Sequence, residues 1–176
     1  TVNPLNDAPV ANADANTTDE DIELNVSKVD GLIKNDTDPE NNTLTVTIFT
    51  VNGTIYNAGE IANLTEGSIK INSDGSYDFK PATDFHGTVP VINYTITDGP
   101  NTTSSTLTLL VNTVNDSPIA VNDVNSINED TTLTVAAIDG VLKNDSDVDE
   151  DVINVSGFVV DGNSYLAGET APLAEG

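Results

Sequence analysis

Asn35-Asp36-Thr37-Asp38-Pro39-Glu40 is matched later in the chain by Asn144-Asp145-Ser146-Asp147-Val148-Asp149. Acidic side chains on alternate residues can all turn toward one point when the backbone loops around it. The oxygens then crowd a small volume and repel one another unless a cation sits among them. Calcium suits such a cluster, because it takes about 6–8 hard oxygen ligands in a flexible geometry. The two copies stand 109 positions apart, 35 against 144, so the chain is first of all a tandem repeat.

Outward from this loop the copies align without a gap, from Asn6 with Asn115 to Gly67 with Gly176. Matches include Glu20-Asp21 with Glu129-Asp130, Asp30-Gly31 with Asp139-Gly140, and Ala58-Gly59-Glu60 with Ala167-Gly168-Glu169. A gapless match over about 60 residues is a strong repeat signal. Residues 1–9, with two prolines, read as an extended linker, and their phrase returns as Val114-Asn115-Asp116-Ser117-Pro118. The expected organisation is a linker at 1–9, a complete repeat at 10–114, a linker at 115–118 and the N-terminal part of a second repeat at 119–176. That second repeat has no counterparts of residues 68–114. An arbitrary cut, strands lent by a neighbouring chain, or a domain split by an insertion would each produce this. Thr1 opens no signal peptide, so the chain reads as an excerpt or a mature segment.

Apolar residues alternate with polar ones along many short runs. Ile22, Leu24 and Val26 form one set, and Leu44, Val46 and Ile48 the next. Ile69 and Ile71, then Tyr77 and Phe79, then Ile92, Tyr94 and Ile96, and finally Leu107, Leu109 and Val111 complete the series. A period of two places each set on one face of a strand. Turns are marked by Asn52-Gly53, Asp74-Gly75 and Asp98-Gly99-Pro100. No helical stripe is present. About seven half-buried, antiparallel strands predict an all-β, two-sheet sandwich.

Five Lys and Arg against 29 Asp and Glu leave a net charge of −24. That field repels nucleic acid and anionic membranes and attracts cations. The chain has no Cys, which excludes disulfides, thiol catalysis and cysteine metal sites. No apolar run approaches the roughly 18 residues of a membrane span. The acidic loops are not EF-hands, since the glycine and glutamate of that motif and its flanking helices are missing. His86, the lone histidine, lies in a turn beside Gly87 and reads as structural. Without Trp, and with only four Tyr and four Phe, a sugar-stacking cleft is hard to build. A repeated unit also argues against a unique active site, so no enzyme is expected. The Thr43/Thr45/Thr47 and Thr106/Thr108 rows read as the wet side of ordinary strands.

Two groups of residues carry a family resemblance. Tyr94-Thr95-Ile96-Thr97-Asp98-Gly99, followed by the threonine-rich run to Val111 and the Asn115-Asp116-Ser117-Pro118 linker, resembles the end of a cadherin-like repeat. Asp30-Gly31-Leu32-Ile33-Lys34-Asn35-Asp36-Thr37-Asp38, with Asp74-Gly75-Ser76-Tyr77-Asp78-Phe79, is similar to the VCBS-type extender repeats of bacterial RTX adhesins. The resemblance implies an Ig-like, cadherin-like antiparallel β-sandwich strung in tandem, with Ca2+ at the domain junctions. By motif position, Asn6 and Asp7 would meet Asp36, Asp38 and Asp98. Likewise Glu20 and Asp21 would meet Asn115, Asp116, Asp145 and Asp147, and Glu129 and Asp130 repeat the Glu20-Asp21 pair. Glu40 and Asp149 are the last acids of the two calcium loops.

The implied function is a calcium-stiffened spacer of a secreted bacterial cell-surface adhesin, projecting a binding domain in adhesion or biofilm. Its partners would be neighbouring repeats of the same chain, with no nucleic acid and no membrane insertion. The alternative is a recognition module binding a glycan, a surface or a second copy of itself.

Overall fold

The computed structural model describes residues 5–173; the first four residues of the expected linker and the last three of the second repeat lie outside them. Residues up to Val114 form one compact unit and those from Asn115 a second.

The first unit contains ten strands among its described residues: β1 Asp14–Asp19, β2 Leu24–Val26, β3 Thr45–Val51, β4 Thr54–Asn57, β5 Ile61–Leu64, β6 Gly67–Ile71, β7 Tyr77–Pro81, β8 Gly87–Thr88, β9 Ile92–Thr97 and β10 Thr102–Asn112. One sheet runs β1-β10-β9-β3-β4, with β8 also on β10, and the other runs β2-β7-β6-β5. The expected alternation fills the space between them. Val46, Phe49, Tyr94, Ile96, Leu107 and Leu109 project from the first sheet, and Ile69, Ile71, Tyr77 and Phe79 from the second. All are buried, and their outward neighbours in β9 and β10 are Asn, Thr and Ser apart from the part-exposed Leu110. This is an all-β sandwich.

Four expectations need correction. The strand count is higher, because β1, β4 and β5 carry weak apolar patterns and form through pairing. One pair is not antiparallel: β1 runs parallel to β10, Asp14 opposite Leu107 through Asp19 opposite Asn112. Leu44, Val46 and Ile48 do not share a face. A register shift between Val46 and Ile48 turns Ile48 outward and places Phe49 and Val51 inside. One extra residue in a strand reverses every side chain beyond it. Ile22 lies before β2 and is 58% exposed, since Asp21 turns the chain at φ 58° first.

The acidic loop is positioned by a close backbone approach. Leu32 N–H donates to Gly75 O at 2.9 Å. A Cβ on Gly31 would stand 2.2 Å from that same oxygen, so only glycine fits. Leu32 is fully buried and anchors the segment leading into residues 35–40.

Candidate metal centre

Residues 5–9 are expected to be linker, yet in the first unit they are fastened to the sandwich. Asn6 donates to Asp98 Oδ2 at 2.6 Å and accepts from the Asn42 amide at 2.6 Å. Asp7 N–H donates to Glu40 Oε2 at 3.1 Å. The Asn101 amide reaches Asn6 O and Asp7 O at 3.0 and 3.1 Å, and Thr103 Oγ1 reaches Pro9 O at 2.7 Å. Asn6, Asp7, Glu40 and Asp98, far apart in sequence, therefore meet at one end of the unit.

The loop itself is built around its own carboxylates. Asp38 Oδ1 accepts the N–H groups of Glu40 and Asn42 at 3.1 and 2.8 Å, while Asp36 Oδ1 accepts that of Asn12 at 2.8 Å. Asn41 takes φ 60° to close the turn. Asp36, Asp38, Asn41 and Asn42 line an open hollow of about 330 Å³. Asp38 is only 8% exposed. The second oxygen of each acid, Asp36 Oδ2 and Asp38 Oδ2, is buried and has no hydrogen-bond partner. A buried carboxylate oxygen left unsatisfied is costly, and a hard cation would relieve it.

Among the described residues no three Asp, Glu or His side chains converge closely enough to hold an ion by themselves. Calcium also accepts amide, carbonyl and water oxygens, so two carboxylates beside Asn41 and Asn42 suit the ion that the resemblance implies.

Glu20 and Asp21 occupy the other end. Glu20 is 4% exposed; its Oε1 accepts the Val114 N–H, and its Oε2 stands 3.6 Å from His86 Nδ1. Asp21 Oδ1 accepts the Asp84 N–H at 3.3 Å. Asp74 stays in its turn, where the hydroxyl and N–H of Ser76 hold its carboxyl below the usual range.

The family model described as bacterial cadherin-like domain matches residues 6–113, and that described as cadherin-like domain matches residues 114–170. The chain belongs to the bacterial cadherin-like family. Such cadherin-like domains are typically structural, extracellular and non-enzymatic, and no helix among the described residues is long and apolar enough to cross a membrane. No curated protein matches the chain. Among solved structures it is similar to an endo-fucoidan hydrolase from glycoside hydrolase family 107, at 19% identity over 64% of this chain and 15% of that one, TM-score 0.39. It is also similar to a nucleoside hydrolase-related hypothetical protein from Saccharophagus degradans, associated with carbohydrate metabolism. There the identity is 14%, over 62% of this chain and 26% of that one, TM-score 0.38. The chain spans only those small shares of both proteins.

The second cadherin-like unit repeats four of the backbone-to-carboxylate bonds of the loop. Asp145 Oδ1 accepts the Val121 N–H at 2.8 Å, Asp147 Oδ1 accepts those of Asp149 and Asp151 at 3.0 and 3.3 Å, and Asp116 N–H donates to Asp149 Oδ2 at 2.6 Å. Asn115, Asp116 and Asp147 share a hollow of about 230 Å³ with Asp151. Asp130 and Glu150 repeat the positive φ angles of Asp21 and Asn41, at 58° and 60°. Glu129, unlike Glu20, is exposed.

One acid escaped the sequence reading. Asp14, in β1, accepts the Tyr94 hydroxyl at 2.7 Å, and its charge adds to the burial that raises the carboxyl of Asp36. Its counterpart Asp123 was the available signal, and it was masked by the polar alternation of a strand.

Proposed function

We propose that this chain is a calcium-binding spacer, two cadherin-like repeats of a large bacterial cell-surface adhesin that hold a binding domain away from the cell. The observation that carries this reading is the pair of buried, unpartnered oxygens, Asp36 Oδ2 and Asp38 Oδ2, on two residues that line one hollow. Asp36 and Asp38 would be the charged ligands, with Asn6, Asp7, Glu40 and Asp98 as the surrounding wall. Asp145, Asp147 and Asp149 with Asn115 and Asp116 would repeat the arrangement. Glu20 and Asp21, with Glu129 and Asp130 as their copies, would serve junctions at the opposite ends. Calcium offsets the mutual repulsion of these acids, which in a chain of −24 net charge otherwise drives neighbouring repeats apart. Fixed junctions make a rod, and extracellular sites of about 10⁻⁴–10⁻³ M affinity let the medium set its stiffness.

The test is thermal unfolding and calorimetric titration of the chelator-stripped chain. A site of that affinity at about 10 mM calcium stabilises the fold by about 1.4–2.7 kcal/mol, and Asp38→Asn should remove most of that gain. A chain that takes up no calcium refutes the reading. Scattering with calcium and with EDTA then tests stiffness, a rod that slackens on chelation being the expected result.

A second reading, recognition, draws on a different observation. β3, β4, β9 and β10 contain no charged residue, so one broad face of a very acidic protein presents hydroxyls and amides with a few apolar side chains among them, Ile55 and Leu110 being 66% and 43% exposed. Binding of uncharged glycans on an array, lost on Ser104→Asp, would favour it.

A further inference from the structure

Behind the hollow lies a second layer of oxygens. The Tyr94 hydroxyl, fully buried, stands 2.7 Å from Asp14 Oδ2, 2.9 Å from Asn12 O and 3.5 Å from Leu32 O. A hydroxyl has one proton to donate, so these three acceptors compete for it. Asn12 reaches forward into the acidic loop: its N–H binds Asp36 Oδ1 at 2.8 Å and its amide binds Asn35 O at 2.7 Å. Asn35 reaches back to Ala13 O at 3.3 Å. Asp14 is thus connected to Asp36 through the Tyr94 hydroxyl and the backbone of Asn12. Asp38, which lines the hollow with Asp36, is nine-tenths buried and its Oδ2 has no hydrogen-bond partner.

We propose that Asp14 is a positioning residue of the cation site, through which occupancy at Asp36 and Asp38 sets how firmly β1 is held against Tyr94 and β10. The inference rests on the calcium reading above and adds to it a route from the ion into the core. With the hollow empty, Asp14 and Asp36 repel across Asn12 and loosen the start of β1, the sandwich's parallel strand. A divalent ion on Asp36 and Asp38 reverses the sign of the field at Asp14. Its carboxylate then draws β1 inward and keeps the Tyr94 bond.

The experiment compares the 176-residue wild-type chain with Asp14→Asn, Tyr94→Phe and Asp78→Asn, each by thermal unfolding in EDTA and in calcium and by calorimetric calcium titration. Asp78 lies on the opposite sheet and controls for the loss of one charge. Asparagine keeps an acceptor for Tyr94 but carries no charge. A merely structural role for Asp14 lowers both unfolding midpoints together and leaves the calcium-induced gain unchanged. The positioning role predicts a smaller gain and roughly three- to tenfold weaker calcium binding in Asp14→Asn. It predicts a lower EDTA midpoint with a larger gain in Tyr94→Phe, and wild-type affinity in Asp78→Asn. Wild-type binding with an unchanged gain in Asp14→Asn overturns this inference alone. If Asp14→Asn does not fold, an unchanged gain in Tyr94→Phe overturns it. A wild type that binds no calcium overturns it together with the spacer reading.

Discussion

Asp36 and Asp38 are two residues apart and each uses one oxygen on the backbone, leaving the other for something outside the chain. The acidic loop was legible in the alternate acids of residues 35–40, but the division between backbone-bound and spare oxygens was not, since the N–H on Asp36 comes from Asn12, far back in the chain. Asp14 was not legible. In a strand reading Ala13-Asp14-Ala15-Asn16 an acid looks like a solvent-facing residue, and only the packing of β1 over Tyr94 turns it inward. Its burial has a consequence in the metal-free chain. Burial raises both Asp14 and Asp36 above the usual 3.8, so the folded state binds their protons more tightly than the unfolded state. Their contribution is fully present below the unfolded value and is lost as pH rises through the raised folded values. Asp74, held low by Ser76, works the opposite way, and its contribution is lost only as pH falls further, below the ordinary range. Urea unfolding in EDTA should therefore show stability rising as pH falls from neutrality toward the ordinary carboxylate value, with a flatter profile in Asp36→Asn. A wild-type stability that falls steadily over that interval contradicts the assignment.

At the scale of elements, period-two alternation predicts β7, β9 and β10 with their correct inward faces, because nothing interrupts those strands. β3 departs from it. The bulge after Val46 is a local backbone event with no residue type to announce it, and it exchanges Ile48 for Phe49 as the core residue. Simple alternation and the folded structure therefore predict opposite outcomes for two neighbouring substitutions. Ile48→Thr should cost less than about 1 kcal/mol, since its side chain is on the outer face. Phe49→Ala should cost about 3–5 kcal/mol, since the ring is fully buried and stacked on Tyr56 at 5.2 Å. Chemical denaturation of the two variants decides it, and a larger loss for Ile48→Thr would mean the bulge is misplaced. β1 escaped notice for a related reason: a parallel strand paired with β10 more than 90 residues away has no local turn to mark it.

For the whole molecule, the two units share local structure and differ in burial. Phe158 stacks on Tyr165 at 5.3 Å, as Phe49 does on Tyr56, in the hairpin of β11 Gly157–Val160 and β12 Asn163–Leu166. Asp161 and Gly162 repeat the positive φ angles of Asn52 and Gly53 that such a tight turn requires. Yet Val141 is 58% exposed where Leu32 is 0%, and Phe158 is 36% exposed where Phe49 is 0%. Residues 123–128 and 133–135, the counterparts of β1 and β2, form no strands. In the first unit those strands pair with β10 and β7, whose equivalents are not among the described residues of the second. Hydrogen exchange of the intact chain should show slow amides at Tyr94 and Leu109 and rapid exchange across 123–135, whatever the calcium level. Equal protection in both units would contradict the burial difference. The sequence by itself determined the repeat, the all-β class, the turns and the acidic loops. Each of these depends on residues near one another along the chain, on period-two alternation or on a turn that only Gly, Asn or Asp adopts easily. Only the tertiary structure decided the parallel β1, the reversed face of β3, the fastening of Asn6 and Asp7 and the inward turn of Asp14. Those follow from which distant strands pair and in what register, and that is set by the burial of the whole sandwich rather than by any local stretch.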